Sequence, residues 1–215
     1  MVALGAGSAL RHREVTMHTR LLTFTGATNI DAGVDYLRDE ALPILNAQKG
    51  YRGVSASVDR DNAAFSILSL WDTEADRAAS DSALGKAREE ALKIVGGTLT
   101  VENLEEVASV VTKPPVVGCS LFVSRVSMDP ANVDQNIEFF KNEVLPQIKA
   151  APGFCSLRNM ADRKAGRAVV GVVFEDRASL DAYAANAEER RAPGIARGIR
   201  FDENSVREIL FAEIK

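Results

Sequence analysis

The chain has 215 residues, of which 46% are hydrophobic and 26% charged, and its formal net charge is −4. This composition is typical of a soluble globular protein of one or two domains, and no apolar run reaches the ~18 residues of a membrane span. The mildly acidic balance argues against a nucleic-acid partner. Two cysteines, Cys119 and Cys155, are too few for a disulfide scaffold and favour a cytoplasmic location.

Residues 1–16 are expected to form an N-terminal tail that precedes the folded part. A small apolar segment comes before Arg11 and Arg13, which reverses the order found in a secretory signal peptide. The segment Gly5-Ala6-Gly7 lacks the third glycine and the preceding strand of a dinucleotide-binding loop. We therefore predict no nucleotide cofactor.

An internal repeat organises the rest of the chain. Glu40-Ala41-Leu42-Pro43 recurs 103 residues later as Glu143-Val144-Leu145-Pro146. The same offset relates further pairs: Gly50 and Gly153, Asp59-Arg60 and Asp162-Arg163, Trp71-Asp72 and Phe174-Glu175. We expect two repeats, residues 17–111 and 119–215, joined by a linker at 112–118 that adjacent prolines keep extended.

Each repeat is predicted to run β-α-β-β-α-β. In chain order, the strands are expected at 19–25, 54–58, 65–71 and 106–111, and then at 121–126, 156–161, 168–174 and 208–214. Apolar residues at helical spacing predict a first helix from about Asp31 and its counterpart after Asp129, which suits a helix cap. Thr73 and Asp176 are the expected caps of the second helices. Pro43 and Pro146 should interrupt the first helices.

The segment Ala168-Val169-Val170-Gly171-Val172-Val173-Phe174 indicates how the repeats assemble. It lacks the apolar and polar alternation of a half-exposed strand, so both of its faces must be covered. Helices cover one face of such a sheet, and the sheet of the other repeat can cover the second. We predict an α+β fold in which two ferredoxin-like repeats close one α/β barrel within the chain, with helices outside.

Several motifs resemble those of a known superfamily. The Glu-x-Leu-Pro helix, the turn Pro152-Gly153-Phe154 and the segment Leu70-Trp71-Asp72-Thr73-Glu74-Ala75 resemble the dimeric α/β barrels, and most closely the antibiotic biosynthesis monooxygenase-type domains, here in tandem. The resemblance covers about 190 residues. It implies a barrel, and an activity among those of the family: cofactor-free oxygenation of aromatic polyketides, haem degradation, or none known.

The functional residues of the family are only partly present. Trp71 matches a tryptophan that ends strand three in members of both enzyme types. The iron-binding histidine of the haem-degrading members would fall near Asp81, and no histidine follows His18, so we expect no haem. The cofactor-free monooxygenases have asparagine where Ile67 stands and tyrosine where Arg77 stands. Their exact mechanism is therefore not implied for the first repeat.

Aromatic residues are the first candidates for contact with a ligand. Trp71 either stacks on a planar substrate or fills the core between sheet and helices. Three tyrosines either orient a substrate hydroxyl or lie at the protein surface: Tyr36, Tyr51 and Tyr183.

Two arginines on predicted strands are the next candidates. Arg125 and Arg158 each need solvent, a carboxylate or a bound anion, because a buried charge alone is costly. We expect an ion pair for Arg125 and contact with an anionic ligand for Arg158, because strand two lies at the edge of a ferredoxin-like sheet. Asn159 is a further candidate, and it should face away from the side that Arg158 occupies.

The remaining features predict no metal and no covalent catalysis. Neither cysteine has a histidine nearby to activate it, and no cluster of acids, cysteines and histidines has ligand spacing. The run Glu188-Glu189-Arg190-Arg191 is expected to be a charged loop or lid around Pro193 and Gly194.

Three functions remain open at this point. The first is a cofactor-independent monooxygenase-like protein that binds a small aromatic or apolar molecule. The second is a non-catalytic ligand-binding or stress-response barrel, and the third is a structural role. We expect no cofactor, no nucleic-acid or membrane partner, and either a monomeric pseudo-dimer or a homodimer through the outer helices.

Overall fold

The computed structural model describes residues 17–215, so the tail expected at 1–16 lies outside the described residues. Eight strands are present in the described part: β1 His18–Thr25, β2 Tyr51–Asp59, β3 Ala64–Trp71, β4 Thr98–Val111, β5 Ser120–Ser127, β6 Phe154–Asp162, β7 Arg167–Phe174 and β8 Arg200–Ile214. They form one closed barrel in the order β1-β3-β2-β8-β5-β7-β6-β4, and every neighbouring pair is antiparallel. The prediction of two repeats that close one barrel is confirmed.

The two repeats join along two seams, β2 with β8 and β4 with β6. β4 and β8 make this possible because each is long enough to serve both sheets. The first part of β4 pairs with β1 over residues 98–105, and its second part pairs with β6 over residues 105–111. The sequence prediction began this strand at Glu106 and so found only the second part. The first part is mostly polar and exposed, and it lacks the apolar signal of a buried strand.

The helices lie against the outer faces of the two sheets. In the first repeat they are α1 Ile30–Tyr36, α2 Leu42–Asn46, α3 Glu74–Ala79 and α4 Asp81–Val95; in the second they are α5 Val133–Phe139, α6 Leu145–Lys149, α7 Arg177–Ala185 and α8 Ala187–Ala196. π-helical turns at Leu37–Ala41 and Phe140–Val144 link the first two helices of each repeat, and a 3₁₀ turn at Pro130–Asn132 precedes α5. No helix in residues 17–215 is both long enough and apolar enough to cross a membrane.

The predicted helix signals act as expected. Thr73 caps α3 by accepting a hydrogen bond from the Asp76 amide at 3.0 Å, and Asp176 caps α7 through the Ser179 amide at 2.8 Å. Each π-helical turn ends just before the Leu-Pro pair that opens the next helix. A proline has no N–H to donate to the carbonyl four residues earlier, so Pro43 and Pro146 interrupt the regular pattern without ending the helix.

Apolar side chains form layers outside and inside the barrel. The outer layer of the first repeat packs Phe24, Phe65 and Trp71 of the sheet against its helices. The outer layers of the second repeat are built around Phe174 and Val126. Inside the barrel, Leu21 of the first repeat meets Met160 of the second. Each sheet is therefore covered on both faces, as the apolar run at 168–174 predicted.

The helix layers of the two repeats lie differently against their sheets. In the first repeat α4 is a continuous helix of 15 residues, and a Cβ at Gly33 would lie 2.5 Å from Val95, so α1 and α4 are in close contact. In the second repeat the corresponding helices α7 and α8 have 9 and 10 residues, and they bury only Leu180 and Gly194. The charged segment predicted as a loop around Pro193 is therefore a helix, although it is weakly anchored.

Candidate functional site

A large cavity lies between the sheet and the helices of the second repeat, with a volume of about 670 Å³. Strands β5, β6 and β7 form its floor, α5 and α6 with the π-helical turn between them form one wall, and α7 and α8 cover it. Its apolar lining includes Phe122, Ile137, Phe140, Ile148, Val170 and Phe201. Such a space can enclose a small organic molecule and keep water away from most of its surface.

Asn159 lies on the floor of this cavity and is only 5% exposed. Its Oδ1 is buried and accepts no hydrogen bond from any described residue. A buried polar atom without a partner is costly, and in native proteins it often marks a place where a ligand or water binds. Ala56 holds the equivalent position in the first repeat, 103 residues earlier, so this polar group is specific to the second repeat.

Tyr183 and Phe122 line the cavity, and Phe174 packs behind them in the core. The Tyr183 ring lies 4.9 Å from that of Phe174 and 5.8 Å from that of Phe122, centroid to centroid. Burial raises the pKa of the Tyr183 phenol, although Arg190 and Arg191 act in the opposite direction. The phenol therefore keeps its proton at neutral pH and can donate a hydrogen bond, but it is a poor base.

Two arginines of α8 stand at the mouth of the cavity. Arg190 lies 3.8 Å above the centre of the Tyr183 ring and donates a hydrogen bond to the Tyr183 carbonyl. Arg191 lies 5.2 Å from the centre of the Phe201 ring and donates to Asn204 Oδ1 at 2.8 Å. Within residues 17–215, neither guanidinium has a carboxylate at ion-pair distance.

These arginines are the functional candidates that sequence reasoning missed, because it assigned them to a solvated loop. The signal that could have found them is their position within a helix. In a helix from residue 187 to 196, Arg190 and Arg191 can point toward the sheet.

The mouth of the cavity also includes two acidic residues, Glu143 and Glu189, both of which are exposed. Among the described residues, no group of three or more acids, cysteines or histidines is arranged to hold a metal ion.

The equivalent space in the first repeat is almost filled. Only about 50 Å³ remains, and Tyr36, a predicted ligand contact, lines it. Arg20 occupies much of the space between sheet and helices, where its guanidinium donates to Ser80 Oγ at 3.2 Å and pairs with Asp81 at 2.9 Å. Burial lowers the pKa of Arg20 in spite of the attraction of Asp81. A substrate-sized ligand has no room in this repeat.

Trp71 was predicted as a possible stacking wall, and the structure places it in the core instead. It is fully buried, its Nε1 donates to Ser69 Oγ at 3.0 Å, and its ring meets that of Tyr51 edge-on at 5.6 Å. Neither ring lines the cavity of the second repeat. The Tyr51 hydroxyl is also buried, without a hydrogen-bond partner in the described part of the chain. Of the three candidate tyrosines, only Tyr183 lies on the large cavity.

Arg125 and Arg158 point into the barrel, on the side of the sheet opposite to the large cavity. The ion pair predicted for Arg125 is confirmed, because both of its terminal nitrogens donate to Glu102, at 2.9 and 2.8 Å. Arg158, for which contact with an anionic ligand was expected, forms an ion pair with Glu106 of the first repeat. Barrel closure supplies this partner, because β6 has no free edge and β4 lies beside it. Asn159 faces away from Arg158, as predicted.

Comparison with other sequences gives the family. The chain is 34% identical over 163 residues to the uncharacterized protein Rv2557 of Mycobacterium tuberculosis strain H37Rv, covering 76% of this chain and 71% of the relative. The chain belongs to the family of this protein. A second relative in that strain, the uncharacterized protein Rv2558, is 28% identical over 184 residues, covering 86% and 75% of the two chains. No family model matches the sequence.

Solved structures with this fold cover almost the whole chain. A "Putative monooxygenase" from Fusobacterium nucleatum aligns with a TM-score of 0.73 and 15% identity, over 94% of this chain and 96% of the other. One from Lactobacillus acidophilus gives 0.68 and 11%, over 94% and 97%. An "anthrone oxidase-like protein" gives 0.66 and 12%, over 92% and 93%. At these identities the likeness shows the fold alone, a closed barrel built from two ferredoxin-like repeats.

Proposed function

We propose that the second repeat binds a planar, hydroxylated aromatic molecule in its cavity and oxygenates it without a cofactor. The observation that carries this proposal is the buried, unpartnered Oδ1 of Asn159 on the floor of an aromatic-lined cavity of about 670 Å³. A carbonyl oxygen in that position accepts a hydrogen bond, so its partner on the ligand is an O–H or N–H group. The names of the structurally similar proteins support the choice of reaction class.

In the proposed reaction, the substrate loses a proton and the resulting electron-rich anion reacts directly with O₂. For a ring CH₂ group, the products are a ring C=O and one molecule of water, so atoms and electrons balance without an added reductant. The apolar floor and walls exclude water, and Arg190 and Arg191 favour the anionic form of the substrate electrostatically. Glu143 and Glu189 at the mouth can accept the released proton.

A non-catalytic ligand-binding role is the alternative, and one observation favours it. Burial raises the pKa of Tyr183, so the phenol is already protonated at neutral pH and cannot take up a proton from the ligand. The carboxylates that line the cavity lie at its exposed mouth. A ligand held at Asn159 would then be bound in its neutral form and left unchanged. The two roles share the same cavity and differ only in turnover.

Oxygen consumption in the presence of anthrones and hydroquinones tests the proposal. We expect each O₂ consumed to give one water and one product, a ring ketone from an anthrone or a hydroxyquinone from a hydroquinone. In Asn159→Ala we expect about tenfold lower kcat/KM, the value of one hydrogen bond. The free energy of unfolding of this variant should not fall, because the substitution removes an unpartnered polar atom. Asn46→Ala is the matched control, since that exposed asparagine donates a hydrogen bond to Glu213 at 3.3 Å and does not line the cavity.

The other outcomes are equally informative. Binding of the same compounds without O₂ uptake, and weakened in Asn159→Ala, would establish the non-catalytic role. Unchanged kinetics and binding in Asn159→Ala would show that the cavity floor does not contact the ligand, and would refute the proposal.

A further inference from the structure

A second cavity lies inside the barrel, between the two sheets, and is separate from the ligand cavity outside them. Its volume is about 80 Å³, and both repeats line it. Three arginines reach it: Arg125, Arg158 and Arg207. Glu102 and Glu106 pair with the first two, so Arg207 is the one whose charge has no counter-ion in direct contact within the described part of the chain.

The contacts of Arg207 satisfy its hydrogen bonds only in part. The residue is 6% exposed; its Nε donates to Ser205 Oγ at 3.0 Å and its Nη1 to Ser66 Oγ at 2.8 Å. Ser66 Oγ lies 3.2 Å from Thr23 Oγ1, so a short chain of hydroxyls continues from it. These hydrogen bonds use Nε and Nη1 of the guanidinium, not Nη2. These partners are neutral hydroxyls, which orient the guanidinium but do not neutralise it.

The nearest acidic groups are occupied elsewhere. Asp59 accepts hydrogen bonds from the Asn62 amide at 3.1 Å and from its Nδ2 at 2.8 Å. Glu203 lies 3.8 Å from Arg125 Nε. Both attract Arg207 from a distance, yet burial still lowers the pKa of Arg207, and Arg125 adds to this effect. The interior therefore disfavours the positive charge that it contains.

Further hydroxyl groups line the same cavity as Arg207. Ser57 and Ser156 line the same cavity and are buried, and neither side chain forms a hydrogen bond with another described residue. A guanidinium edge with hydroxyl donors is the usual chemistry of an anion site. The volume suits a small inorganic anion, whereas a drug-sized organic ligand needs about 300 Å³ or more. Pro115 and Ile214 also line the cavity, so it extends toward the linker.

We propose that the barrel interior binds a small monovalent inorganic anion, such as chloride or nitrate, between Arg207 and the serine hydroxyls. The site joins the repeats, because Ser57 and Ser66 belong to the first and Arg207 to the second. An anion bound there offsets the cost of the buried guanidinium and stabilises the closed barrel. It is independent of the reaction proposed for the outer cavity.

Thermal unfolding of the full chain in different sodium salts, at equal ionic strength and neutral pH, tests the site. Gluconate is too large for the cavity and serves as the reference anion. Chloride or nitrate at ten times its Kd should raise Tm by about 3–6 °C in a saturable manner. Arg207→Met should abolish this difference between anions. Arg200→Met is the matched control: this exposed arginine of the same strand donates to Ser127 Oγ, and its replacement should leave the difference intact.

Two results would overturn the proposal. One is equal Tm values of the wild-type protein in chloride, nitrate and gluconate. The other is an anion effect that persists in Arg207→Met. If this variant does not fold, chloride NMR linewidths of the wild-type protein decide the matter: nitrate should displace chloride and narrow the line, and the absence of any protein-dependent broadening would refute the site.

Discussion

The ion pair of Arg158 and Glu106 gives the sharpest prediction at the scale of single residues. Both side chains are largely buried inside the barrel, with 18% and 6% exposure. Arg158→Ala leaves the Glu106 carboxylate without its partner, and breaking a buried pair in this way costs about 3–5 kcal/mol. We expect the free energy of unfolding, measured by denaturant titration, to fall by that amount.

A matched variant separates this effect from the general loss of an arginine. Arg60 pairs with Glu208 at the surface, at 3.2 Å, with about half of each side chain exposed, and Arg60→Ala should change stability by less than about 1 kcal/mol. Combining Arg158→Met with Glu106→Leu should restore most of the loss, because neither charge is then left alone. Equal stability of Arg158→Ala and the wild-type protein would contradict the assignment.

The same residues show what the sequence could and could not predict about the site. Strand alternation placed Arg158 and Asn159 on opposite faces, and the structure agrees. The partner of Arg158 could not be predicted, because Glu106 belongs to the other repeat and its position depends on the register across the β4–β6 seam. Asn159 was a candidate by residue type, but the unpartnered Oδ1 depends on which helices face it.

At the scale of elements, α8 is the feature with the clearest dynamic consequence. It buries only Gly194, and Pro193 inside it cannot donate a backbone hydrogen bond. By contrast, α4 buries Leu84, Ala87, Ala91 and Val95 along its length. Local opening is easier where fewer side chains are buried. We expect amide hydrogens of residues 187–196 to exchange at least about tenfold faster than those of residues 84–95.

Hydrogen exchange followed by mass spectrometry measures this difference directly. A compound that fills the cavity of the second repeat should slow exchange in α8 and leave α4 unchanged, because α8 covers the cavity. Exchange in α8 as slow as that in α4 would show that the contacts of Arg190 and Arg191 hold the helix as firmly as apolar burial does.

The helices also show which features a sequence pattern can predict and which it cannot. The caps at Thr73 and Asp176 were predicted because a cap is a local signal. Helix α8 was predicted as a loop because its charges and Pro193 are typical of loops. Its arginines hold it through cation–π contacts with Tyr183 and Phe201, two rings that only the fold brings near.

At the scale of the whole molecule, both seams of the barrel form within one chain. No second copy is needed to pair the edges of either sheet, so we expect the protein to remain folded and monomeric on dilution. Analytical ultracentrifugation together with circular dichroism, from high to low micromolar concentration, measures this. Loss of secondary structure on dilution would contradict it, whereas a reversible dimer with unchanged structure would indicate contacts through the outer helices.

The overall architecture could be predicted because several independent sequence signals indicate the same fold. The offset of 103 residues defined the repeats, and the apolar strand at 168–174 required cover on both faces. The location of the cavity was not predictable, because it depends on how far the helices stand from each sheet. In the first repeat, Arg20 and the continuous α4 fill the space that remains open beneath α7 and α8.

Closure by one chain also changes how the two halves can diverge. In a homodimer, every substitution occurs twice, so a mutation that fills one cavity fills both and removes the function. Here Arg20 fills the space in the first repeat, and the cavity that contains Asn159 in the second repeat stays open. If the second repeat binds a ligand as proposed, the first half is free of that constraint and can change in ways that favour folding, while selection for the ligand acts on the outer cavity of the second half.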